Sequence, residues 1–135
     1  MDIFKLKKQL VEHEGIRLKP YRCTAYKLTI GIGRNLDDKG ISEVEAMFML
    51  NNDINECYID CLSIFPWFVD LSEDRQHALI DMRFNLGSAG FRRFRKMITA
   101  VNAGDFDTAA VEMKDSLWYK QVGLRGKTLV KMMKG

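Results

Sequence analysis

The hydrophobic pattern takes a period of two at one place. Tyr26, Leu28, Ile30 and Ile32 alternate with Lys27, Thr29, Gly31 and Gly33, as in a half-buried β-strand with the first set inward. Elsewhere the apolar residues recur at three and four, the spacing of helices. With 135 residues and 47% apolar content, the chain has enough material for one core in one domain, with room to divide into two small lobes around a cleft.

The helical segments carry their own stop and start signals. Ile3, Leu6, Leu10 and Val11 share one face of a first helix that ends at Gly15, which puts Glu14 at its C-terminal end. Pro20 blocks any continuation. Asn35 to Gly40 reads as a turn, and Ser42 with Glu45 has the spacing of a capping box. A long helix follows, with Val44, Met47, Leu50, Ile54, Cys57, Tyr58, Cys61 and Leu62 on its apolar side and Pro66 beyond its end. Glu73 to Leu86 is apolar on most sides, as in the central helix of a second lobe, and Gly87 ends it. Phe91, Phe94, Met97, Ile98 and Val101 make the next stripe, backed by Arg92, Arg93, Arg95 and Lys96. Asp105 is placed to cap a helix that turns Phe106, Ala109, Ala110 and Met113 inward. Two short helical pieces, Leu117 to Tyr119 and Leu124 to Met133, close the chain.

Charge and cysteine use narrow the functional classes. The net charge of +3 is unevenly spread: residues 1–34 hold eight Lys/Arg against three Asp/Glu, and residues 114–135 hold six against one. Both ends are therefore basic, a surface suited to an acidic polymer, nucleic acid or anionic lipid. Three cysteines, Cys23, Cys57 and Cys61, and two histidines favour reduced thiols over a disulfide framework or a four-ligand zinc site. Apolar runs such as Ala46 to Leu50 are far shorter than the roughly 20 residues of a membrane span, and the start of the chain lacks a signal-peptide core. The expectation is a chain made in the cytoplasm, with no transmembrane segment, metal or organic cofactor.

The most specific feature is a spacing. Glu14 is followed by eight residues and Cys23, then by five residues and Thr29. The surrounding strings, E-G-I-R-L-K-P-Y from Glu14 and T-I-G-I-G from Thr29, carry residue types as well as intervals. Here the chain resembles the phage lysozyme family (glycoside hydrolase family 24), whose signature is a glutamate, eight residues, an aspartate or cysteine, five residues, and a threonine. Ser42 to Ala46, Asp81 to Gly87, and Trp118 to Gln121 with Arg125 resemble further family segments in the right order, so nearly the whole chain is covered.

The resemblance implies an α+β, mainly α fold: a small antiparallel β lobe over about residues 15–41, a connecting helix over about 42–64, and a helical lobe over about 65–135 that also takes in the N-terminal helix 1–14. The active-site cleft lies between the lobes. It further implies a muramidase acting on the β-1,4 bond between N-acetylmuramic acid and N-acetylglucosamine in peptidoglycan, in the role of a phage or prophage endolysin. That role calls for a holin to release a monomeric enzyme from the host cytoplasm to the cell wall, and for no nucleic-acid partner.

Glycoside hydrolysis needs a protonated acid at the leaving oxygen and a second group that activates water or attacks the sugar. Glu14 suits the first role, because the negative pole of its helix favours the neutral acid. Cys23 stands where many members of the family carry aspartate, so a thiolate there acts as base or nucleophile, and Thr29 on the outward face of its strand orients the water. By the same resemblance Arg125 ion-pairs with Glu14. Asp81 and Asn85, one helical turn apart, face the cleft and bind sugar.

Two other readings compete. A lytic transglycosylase would use the same acid and leave an anhydro-sugar. A non-catalytic basic module would hold wall polymer through the cationic ends alone. His13 and His77 have no motif that would support a cysteine protease, and Gly31-Ile32-Gly33 lacks the third glycine and the following helix of a nucleotide loop, so both glycines read as strand positions.

Overall fold

A computed structural model describes all of residues 1–135. The chain divides into two compact units, Met1–Phe48 and Met49–Gly135, and the boundary falls inside the longest helix. The architecture is α+β and mainly helical, with seven α-helices and one three-stranded antiparallel sheet.

The first unit begins with α1 (Ile3–Glu14), whose cap residue Asp2 accepts the Lys5 amide at 3.1 Å. At the other end Gly15 takes φ 75°, and its N–H closes on Val11 O at 2.8 Å. The expected apolar face of α1 is not enclosed, and no residue of the helix is buried. A unit this small has too much surface for its volume to cover every apolar side chain.

The sheet is β1 (Arg17–Arg22), β2 (Leu28–Gly31) and β3 (Arg34–Asn35), paired in that order. The sequence pattern gave no sign of β1, because Pro20 and three cationic residues interrupt any alternation. Its register slips between Arg17↔Gly31 and Tyr21↔Thr29. This bulge lies where Pro20, lacking an N–H, cannot join a regular ladder.

The expected facing of the alternating stretch is reversed at its centre. Tyr26 is not in the strand at all: it turns the β1–β2 hairpin at φ 61° and is 81% exposed. Thr29, expected outward, is 4% exposed and is the one buried residue of the first unit, while Leu28 and Ile30 are half-buried. The hydroxyl tolerates this position because it donates to Lys27 O at 2.8 Å.

Helix α2 (Glu43–Ile64) opens with the expected capping box. The Glu45 amide donates to Ser42 Oγ at 3.1 Å, and the Ser42 amide donates back to Glu45 Oε1 at 3.0 Å. Of its apolar stripe only Cys57 and Cys61 are buried; Val44, Met47 and Ile54 stay exposed.

The core belongs to the second unit. After a 3-10 turn (Phe68–Asp70) come α3 (Glu73–Arg92), α4 (Arg95–Asn102), α5 (Phe106–Lys114), α6 (Leu117–Val122) and α7 (Leu124–Lys134). Gly87, at φ 76° and ψ 167°, breaks the helical path within α3, at the point the sequence marks as its end. Phe65, Phe68, Leu79, Met82, Phe91 and Met97 are enclosed with Met113, Trp118, Leu129 and Met133 from the last helices. The side chain of Asp105 caps α5 by accepting the Thr108 amide at 3.1 Å, as its position suggests.

Arg83 is the other buried polar residue. Its Nε donates to Asp60 Oδ2 at 2.7 Å, and Arg92 shares the same carboxylate, which ties α2 to the middle and the C-terminal end of α3. A charge at this depth is tolerated because it is paired.

Candidate active site

Glu14, Cys23 and Thr29 all belong to the first unit. Helix α1 ends on Glu14, and the left-handed Gly15 turns the chain into β1, which leaves the carboxylate exposed at the helix terminus. The carboxylate lies over Gly33, in the turn between β2 and β3. A Cβ built on Gly33 would stand 2.6 Å from Glu14 Oε2, 3.0 Å from Cδ and 3.3 Å from Cγ. Gly33 is thus not the strand position read from the pattern; it is a turn residue at φ 66° against which the acid rests.

Cys23 and Thr29 come together where β1 passes into the β1–β2 turn. Cys23 begins the β1–β2 turn, with its N–H on Lys27 O at 3.0 Å and its own carbonyl accepting the Tyr26 amide at 2.8 Å. Backbone hydrogen bonds from Lys27, then from Ala25, hold the half-buried thiol below the ordinary thiol range, and the Thr29 hydroxyl adds to this against the opposing effect of burial. The hydroxyl has one proton, and in this structure Lys27 O receives it. To support a thiolate at Cys23 that proton must turn from Lys27 O to sulfur.

The other two cysteines behave differently. Burial pushes Cys57 up and Cys61 up to about 12, so Cys23 is the thiol of the three that its surroundings lower.

A network that sequence reasoning missed braces the turn beside Gly33. Arg34 Nη1 donates to Gly40 O at 3.3 Å and to Glu45 Oε1 at 2.8 Å. This side-chain bond, with the hydrogen bonds from Ser42, lowers Glu45 to about 2. The turn is therefore fastened to the start of α2 by a carboxylate that stays ionised. The sequence carried half the signal, since the capping box located Glu45 and only Arg34 was absent from it.

In the second unit a groove of about 460 Å³ is lined by Leu50, Ile54, His77, Ile80, Asp81, Phe84 and Arg125. Asp81 lines it, and its carboxylate is engaged: Arg125 Nε lies 2.7 Å from Asp81 Oδ1. Arg125, which the resemblance assigned to Glu14, thus has Asp81 as its carboxylate partner. Asn85 does not line the groove. Its Oδ1 accepts the indole N–H of Trp118 at 2.8 Å, and Trp118 is buried. One turn of helix separates Asp81 from Asn85, yet one carries a surface ion pair and the other satisfies a core donor.

Comparison with known proteins covers both units. Residues 11–134 match the family described as Phage lysozyme. The endolysin of Acyrthosiphon pisum secondary endosymbiont phage 1 is 30% identical over 104 residues, 74% of this chain and 68% of that protein. A probable T4-type lysozyme 2 of Dictyostelium discoideum is 24% identical over 157 residues, covering 95% of this chain and 92% of its own length. The pre-baseplate central spike protein Gp5 of Enterobacteria phage T4 is 29% identical over 136 residues, which is 80% of this chain but 24% of that much longer protein.

Proposed function

The chain belongs to the phage lysozyme family, and from that premise we propose that it is a muramidase that cleaves the β-1,4 bond between N-acetylmuramic acid and N-acetylglucosamine in bacterial peptidoglycan. The observation that carries the proposal is the exposed carboxylate of Glu14, placed at a helix end and lying over Gly33.

In this mechanism Glu14 donates its proton to the glycosidic oxygen as the bond to the muramyl anomeric carbon breaks. The Cys23 thiolate takes a proton from the attacking water, whose oxygen bonds to that carbon, and the muramyl unit leaves with a free reducing end. Thr29 assists through its contact with sulfur. Asp81, at the open groove of the second unit, contributes to sugar binding, while the bond from Trp118 makes Asn85 a structural residue in this reading. The role is that of an endolysin, as the name of one relative suggests. The chain is made in the host cytoplasm and reaches the wall once a holin opens the membrane; no helix is long and apolar enough to make that crossing itself.

One observation favours a second reading. The middle member of the triad is a thiol where a carboxylate is usual, and a lytic transglycosylase needs only the acid, because an internal hydroxyl of the muramyl residue replaces water. Mass spectrometry of digested peptidoglycan separates the two: reducing ends support the hydrolase, and anhydro-muramyl ends support the transglycosylase. Clearing of permeabilised Gram-negative cells tests both at once, since a protein that only binds wall polymer leaves turbidity unchanged.

A further inference from the structure

We propose that Gly33 is a positioning residue for the reaction: its missing side chain creates the seat on which the Glu14 carboxylate rests, an inference that depends on reading Glu14 as the acid. The structure contains an internal comparison. Gly31 and Gly33 both adopt a left-handed backbone, at φ 70° and 66°, so a side chain at either position is strained to a similar degree. They differ in what a Cβ would meet. At Gly31 there is nothing within 4 Å, whereas at Gly33 Glu14 Oε2 is 2.6 Å away, inside the contact distance of any real methyl group.

The atoms in the way are the far end of a side chain that no hydrogen bond holds, so a methyl group at position 33 displaces the carboxylate without unfolding the unit. A displacement of this kind acts on catalysis through geometry, because proton donation requires the acid within hydrogen-bond reach of the glycosidic oxygen. The Arg34–Glu45 bond braces the seat, fastening the next residue, the first of β3, to the start of α2.

The test compares Gly33→Ala with Gly31→Ala in the full chain, using NMR of a carbon-labelled Glu14 carboxyl and kinetics on soluble peptidoglycan fragments. Gly33→Ala is expected to shift the Glu14 signal and lower kcat roughly ten- to hundredfold with KM nearly unchanged. Gly31→Ala, with the same backbone strain, leaves both close to wild type. If both variants show the same Glu14 signal, the seat does not exist. If the signal moves and kcat does not, the seat has no part in positioning.

Should Gly33→Ala fail to fold, a nuclear Overhauser contact between the Glu14 γ-protons and the Gly33 α-protons in the wild type still decides whether the seat is there; its absence overturns the proposal. Failure of the functional reading looks different. The contact and the signal shift persist, but the wild type itself cleaves nothing, so the carboxylate is seated without being an acid catalyst.

Discussion

Arg34 and Glu45 are joined by a 2.8 Å hydrogen bond at the oxygen that also receives the Ser42 amide at 3.0 Å, so one carboxylate both caps a helix and anchors the turn beneath the catalytic candidate. Such a bond has a pH signature. Glu45 is lowered from an ordinary 4.5 to about 2 in the folded chain, so its stabilising contribution is complete above pH 4.5 and is lost as the pH falls toward 2. Wild type and Glu45→Gln, melted across that interval, should converge as the pH drops, with the wild type more stable only at the upper end. A constant difference at every pH would mean that the carboxylate charge contributes nothing.

Cys23 should be singled out by alkylation. Its thiol is lowered by hydrogen bonds at the hairpin, whereas burial raises Cys57 and raises Cys61 to about 12. Brief exposure to iodoacetamide near neutral pH should modify one cysteine in three, identified by peptide mass, and abolish lysis. Cys23→Asp should keep activity, because a carboxylate can take the same proton; full activity in the alkylated protein and in Cys23→Ser would exclude the thiol from the reaction.

Asn85 should prove to be a stability residue. Asn85→Ala leaves the buried Trp118 indole N–H without its acceptor, at a cost of about 1–3 kcal/mol, or a drop of several degrees in Tm. Calorimetry and Michaelis constants measured on the same variant distinguish the roles. A raised KM with unchanged Tm would return Asn85 to sugar binding.

What could be read from the sequence follows from the range of the interactions. The capping box at Ser42 and Glu45, the cap at Asp105 and the break at Gly87 are local devices whose residues lie within a turn of one another, and the structure contains all three. Strand β1 was invisible because a Pro-containing cationic segment becomes a strand only through pairing with β2. The inward turn of Thr29 was misread for a related reason. Alternation assigns apolar residues to the buried face, but in a unit with so little enclosed volume the face is set by pairing and by the Lys27 carbonyl that accepts the hydroxyl proton.

The site shows the same division. The Glu14, Cys23 and Thr29 intervals were plain in the sequence, and two of the three groups meet at one hairpin. The seat of Glu14 on Gly33 and the capture of Arg125 by Asp81 span nineteen and forty-four residues, distances over which no spacing rule applies.

The central claim is that Glu14 supplies the proton that breaks the glycan, and Glu14→Gln tests it most directly because the amide keeps the shape of the side chain and removes the transferable proton. Wild type and variant would be assayed together for release of glycan fragments from purified peptidoglycan, with circular dichroism confirming that both are folded. The account predicts a folded Glu14→Gln protein that releases no fragments above the no-enzyme background. Fragment release at the wild-type rate by that variant would contradict it.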